Sequence, residues 1–174
     1  TLSDIFGSTM YPHIYTPLWY KEGLAVLVES SQSPYEGRLN DASVYAYFKS
    51  AAKAKKLKSL GDVTTHLDYV FPYGKTPYIY GGKFLEYLTK TYGTDTLSKL
   101  NIEHSKTFMG YGTLYYPKHS FDKEAKSIFG KPFEELYNEW RSAEEKNSES
   151  WITIGTHIPL DGQIKNYLLN YNGN

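Results

Sequence analysis

The sequence predicts a mainly helical domain that ends in a short strand-like tail. Apolar residues recur at helical spacing, as in Tyr80, Phe84, Tyr87 and Leu88, the mark of an amphipathic helix. Prolines and glycines punctuate the chain where helices should start and stop, at Pro17, Pro77, Gly93, Gly130 and Pro132. After Asn147-Ser148 the character changes, and Trp151-Ile152-Thr153-Ile154 and Tyr167-Leu168-Leu169 read as strands around an Asp161-Gly162 turn. Residues 1–147 therefore form one helical unit, and 148–174 are a tail or the start of a following β domain.

Taken in order, residues 1–15 read as a loop or short entry segment. The first helix should begin at Thr16-Pro17, with Thr16 as its cap, and end near Ser30-Ser31 before the polar loop 32–37. Residues 41–58 form the next, capped by Asp41, with Val44, Tyr47, Phe48, Ala51 and Leu57 along one face and lysines at its C-terminal end. A helical turn follows over 60–67, then a loop through Pro72 and Gly74. A long helix runs from Pro77 to Tyr92, and Thr94 or Asp95 caps a shorter one to about Glu103. The glycines and tyrosines of 105–118 read as a loop. Helices over 121–129 and from Pro132 through Trp140 complete the unit.

Lysine plus arginine and aspartate plus glutamate number 19 each in the 174 residues, and this balance argues against a nucleic-acid binder. No apolar run approaches the ~20 residues needed to span a bilayer. With no cysteine, disulfides and thiolate-bound metals are excluded. Nucleotide-binding glycine loops and a Gly-x-Ser-x-Gly elbow are absent as well. The chain opens on Thr1 without an initiator Met and reads as a piece of something longer.

Two carboxylates carry the strongest chemical signal. Glu22 and Glu29 lie seven positions apart in the segment 17–29, on nearly one face of a helix otherwise apolar almost all round. Such a helix should be buried, and a buried carboxylate needs a cation, a metal or donors to offset its desolvation. Structural salt bridges would meet that need as well as a metal would. The five histidines, at 13, 66, 104, 119 and 157, include no helical i, i+4 pair, and none is assigned as a ligand. The 18 tyrosines suit either a wet-edged core or a peptide or glycan groove.

The segment Pro17-Leu18-Trp19-Tyr20-Lys21-Glu22-Gly23-Leu24-Ala25, followed by Glu29, resembles the Trp-x-x-Glu-Gly-x-Ala motif of gluzincin metallopeptidases of the peptidase-MA type. Thr76-Pro77-Tyr78-Ile79-Tyr80-Gly81-Gly82, with Phe84 and Leu88, is similar to the Tyr-x-x-Gly helix start of the same family. Phe129 to Leu136 with Glu139-Trp140 resembles its closing helix. The resemblance covers roughly residues 15–142. It implies the helical C-terminal subdomain of a zincin-like fold, a zinc ion with Glu22 as its third protein ligand, and Glu29 supporting the ligand shell. Tyr78, with Tyr80 as the next candidate, would stabilise the oxyanion of a peptide or protein substrate. The family's His-Glu-x-x-His segment does not occur in this chain, so the chain alone should bind zinc poorly and be inactive. An adjoining β-propeller and a place outside the cytoplasm are further implications. The reading from another class is a non-catalytic peptide- or glycan-binding helical module, in which Glu22 is structural.

Overall fold

The computed structural model describes residues 16–33, 35–65, 72–107 and 117–155. All regular structure among them is helical, in keeping with the mainly helical class that the sequence predicts. Helix α1 is Leu18–Ser31, α2 Ala42–Lys53, α3 Leu60–Thr64, α4 Thr76–Tyr92, α5 Thr96–Thr107, α6 Pro117–Phe129 and α7 Phe133–Gly155. Short 3₁₀ turns occupy Arg38–Asn40 and Tyr73–Lys75. None of the described helices is long and apolar enough to cross a membrane.

Helix α4 is the hub, touching α1, α3, α5, α7 and both 3₁₀ turns. Its residues Tyr80, Phe84, Leu85 and Leu88 are fully buried. Trp19, Phe48, Phe121, Phe133, Tyr137 and Trp140 close around them in one aromatic core. Most rings meet edge to face or tilted, as between Phe84 and Tyr137 at 5.0 Å, the arrangement their quadrupoles favour.

Helix α1 meets α4 backbone to backbone. A Cβ on Gly23 would run into the Gly81 carbonyl carbon, and one on Gly81 into the Trp19 carbonyl oxygen. Only glycine lets two helices come this close. On α1, Trp19, Tyr20, Gly23 and Val26 are buried, while Lys21, Ala25, Val28 and Glu29 are exposed. The expectation that α1 is buried nearly all round is thereby corrected: its apolar residues exceed what one packed face can cover.

Three boundaries also differ from the sequence reading. Thr16 does not cap α1, whose N-cap is Pro17 without a side-chain hydrogen bond. Helix α2 stops at Lys53, short of 58, in a turn where Lys56 N–H donates to Ala51 C=O at 2.8 Å and Lys55 N–H to Ala52 C=O at 3.0 Å, the paired closing bonds of a Schellman motif. Lys55 takes the left-handed conformation there, at φ 53°. Helix α7 passes through 147–148 without interruption, so 151–154 are helical and not a strand. Extending an existing helix escapes the nucleation cost, which outweighs the small penalty on β-branched residues. The strand read at 167–169 lies outside the described residues.

Further bounds differ: α3 stops at Thr64, α5 runs past Glu103 to Thr107, and α6 starts at Pro117 and not near 121. The loop read over 105–118 is thus helical at both ends. The start of α2 and the ends of α4 and α6 match. Asp41 accepts from Ser43 N–H at the start of α2, and Gly93 and Gly130 end α4 and α6 at φ 101° and 78°. Ser59 and Asp62 form a reciprocal capping box on α3.

Candidate functional site

Glu22 precedes Gly23 at the α1–α4 crossing, and Tyr78 lies one turn before Gly81 on the other side of it. The glycine contact thus brings the helices carrying both residues to one junction. Glu22 is partly buried and makes no hydrogen bond or ion pair among the described residues. Tyr78 is also partly buried, and its ring carries the Arg38 guanidinium, with Cζ 5.3 Å from the centroid.

Arg38 connects two of the three residues singled out from the sequence. Its Nε donates to Glu29 Oε2 at 3.0 Å, with both side chains about half exposed. Glu29 is therefore held by an arginine next to Tyr78. The backbone beneath Arg38 is fixed from several sides. Gly37 (φ 87°) packs directly on Ser30, where a side chain would collide with the α1 backbone. Leu39 is buried and its N–H donates to Ser30 Oγ. Asn40 Nδ2 bonds to the carbonyls of Ser30, Ser33 and Glu36 at 2.6–2.9 Å. Nothing in the sequence pattern marks Arg38, because a loop has no periodicity and its partners come from two helices.

Tyr80, the alternative to Tyr78, belongs to the core. It is fully buried, its hydroxyl shares a 2.8 Å hydrogen bond with Tyr47 Oη, and it accepts from Lys58 N–H at 3.4 Å. Burial, and then the bond to Tyr47, push its phenol far above the usual tyrosine range. Tyr137 Oη donates to the Lys58 carbonyl at 3.2 Å. Together these two tyrosines satisfy both backbone groups of Lys58 in the extended link between α2 and α3.

A second polar array joins residues far apart in sequence. The Thr16 hydroxyl lies 2.8 Å from His104 Nε2, and His104 Nδ1 lies 2.7 Å from Glu124 Oε2. All three are largely buried. Beside them Tyr20 Oη donates to Asn101 Oδ1 at 2.9 Å. Its phenol is pushed well above the usual range by burial and by the Glu124 charge. The array ties Thr16, two residues before α1, to α5 and α6, and so holds the start of the helix that carries Glu22. With partners 88 and 20 positions apart, no local spacing could reveal it.

Among the described residues no group of three or more His, Cys, Asp or Glu could hold a metal ion. His13, His66, His119 and His157 lie outside the described residues or have side chains that do.

No family model matches the chain, and no solved structure does. Over 84 residues, 48% of this chain, it is 38% identical to an uncharacterized protein of Treponema pallidum (strain Nichols). The matched segment spans 8% of that protein's length.

Proposed function

We propose that this chain is part of a zinc-dependent peptidase, to which it contributes Glu22 as the third zinc ligand and Tyr78 as the oxyanion-stabilising hydroxyl. The observation that carries the reading is the glycine crossing. It brings the helices of Glu22 and Tyr78 backbone to backbone and leaves Glu22 partly buried without a described partner. A carboxylate so placed suits a cation supplied with other ligands. The described residues fit zinc only in part: they offer one oxygen donor where a catalytic site takes three protein ligands, so the other ligands come from outside them. Bound zinc would polarise the scissile carbonyl and activate water. Glu22 would help hold the ion, Tyr78 would donate to the developing oxyanion, and Glu29, through Arg38, would fix the wall beside Tyr78. The substrate on this reading is a peptide or protein.

Zinc content and peptide hydrolysis of the protein carrying the sequence upstream of Thr1 test this. Stoichiometric zinc is expected, and Glu22→Gln should weaken it by more than the roughly 10–100-fold that losing an outer-shell partner costs. The 174-residue chain alone should bind zinc only weakly. Absence of zinc and of hydrolysis in the longer protein, with Glu22→Gln changing neither, would overturn the proposal.

That outcome would favour the second reading, a non-catalytic peptide- or glycan-binding module. The observation on its side is that Arg38 engages both Glu29 and Tyr78, as a surface built to hold a ligand would.

A further inference from the structure

Arg38 stands out because its surroundings order it more than an exposed ion pair requires. Gly37, Leu39 and Asn40 pin its backbone to the end of α1 at Ser30. Glu29 takes the Nε edge of the guanidinium, and the Tyr78 ring supports its face. Among the described residues, nothing is bonded to its two terminal nitrogens. An exposed salt bridge by itself adds little to a fold. What this one does is hold a planar pair of N–H donors in a fixed direction beside Tyr78.

A guanidinium presented by its terminal edge matches a carboxylate, which it binds through two parallel hydrogen bonds. Glu29 balances the charge, so recognition depends on that paired geometry more than on net attraction. Fixing the arginine beforehand lowers the entropy lost on binding. We propose that Arg38 is a specificity-determining residue that binds a carboxylate of a peptide lying past Tyr78. That carboxylate is either an Asp or Glu side chain near the scissile bond or the peptide's own C-terminus. That the ligand is a peptide rests on the peptidase reading above; the carboxylate site rests on Arg38 itself.

Three peptides separate the possibilities: an end-blocked peptide with Glu beside the scissile bond, its Gln counterpart, and the Gln peptide with a free C-terminal carboxylate. Each is tested on the protein with its upstream sequence, for hydrolysis by the zinc-loaded form and for calorimetric binding to the metal-free form. One carboxylate peptide should be favoured over the neutral one by roughly 10–100-fold. Preference for the Glu peptide assigns the contact to a side chain, and preference for the free terminus assigns it to the chain end. The ratio should fall toward one in Arg38→Gln and recover only in part in Arg38→Lys, which lacks the planar donor pair. Hydrolysis of all three peptides at equal rates, or a ratio that Arg38→Gln leaves unchanged, overturns the Arg38 site and leaves the peptidase reading standing. Carboxylate binding that depends on Arg38, in a protein without zinc or hydrolysis, does the reverse.

Discussion

Gly23 and Gly81 decide how α1 lies on α4, and they do so by what they lack. In the middle of a helix, glycine is normally less stable than alanine by about 0.5–1 kcal/mol, so Gly→Ala should help. Here the new methyl groups would meet the Gly81 carbonyl carbon and the Trp19 carbonyl oxygen. Backbone atoms cannot rotate away as a side chain would. Gly23→Ala and Gly81→Ala should each destabilise the chain, by about 1–3 kcal/mol or more, read from urea unfolding. Gly61 is the control, since an added Cβ would find only Ser59 Oγ at 3.7 Å; Gly61→Ala should be neutral or stabilising. If all three changes stabilise, the helices do not touch at the glycines, and the junction that joins Glu22 to Tyr78 is lost with them. Sequence shows the Glu-Gly and Gly-Gly pairs but not that they face each other. That pairing depends on residues 58 positions apart and has no local signal. Tyr78 and Tyr80 show the same limit. Two residues apart near the start of one helix, they differ by about 200° around its axis, which sends Tyr80 into the core and leaves Tyr78 partly exposed. Only the packing of α4 tells which is which.

Helix α2 marks where element-level reading succeeds and fails. Its start is legible because Asp41 is a strong capping residue, and it caps Ser43 N–H as expected. Its end is not, because the left-handed position that closes the turn holds Lys55 at φ 53°, where glycine is usual. Gly93 and Gly130 directly follow α4 and α6 at positive φ, and both of those ends are readable. A non-glycine residue in this conformation carries a strain of about 1–2 kcal/mol. Lys55→Gly should therefore stabilise the chain by up to about 1 kcal/mol, after allowing for the extra freedom glycine gains when unfolded. Thermal or urea midpoints would show it, and a loss of stability would mean that the Lys55 side chain adds more than its backbone strain costs. The last helix fails as a reading for the opposite reason. The β-branched run at 152–154 looks like a strand in isolation, but it follows two charged turns already wound as helix. What precedes a segment can outweigh what it contains.

At the scale of the molecule, part of the unusual tyrosine content serves the core. Tyr20, Tyr80 and Tyr137 are buried among the packed rings, and each hydroxyl has a hydrogen-bond partner. Such phenols are stable inside only while they keep their protons. Burial is the first cause that raises all three; next come the Glu124 charge for Tyr20, the Tyr47 bond for Tyr80 and Tyr80 itself for Tyr137. The folded-state values thus lie above the unfolded value of about 10. The stability they contribute is complete below that pH and is lost as pH rises toward the folded values. Each phenol that ionises only on unfolding adds a slope of about 1.4 kcal/mol per pH unit. Three together give about 4 kcal/mol per unit, enough to exhaust a total stability of about 5–15 kcal/mol within a few pH units. Urea midpoints taken from neutral pH upward should hold steady to about pH 10 and then fall steeply, with tyrosinate absorbance rising as the fold is lost. Tyr80→Phe should remove about one third of that slope even though the loss of its bond to Tyr47 lowers stability at neutral pH. Tyrosinate that forms in the intact fold near pH 10 would show that these rings are wet, and the aromatic core would no longer account for how α1, α4 and α7 stay together.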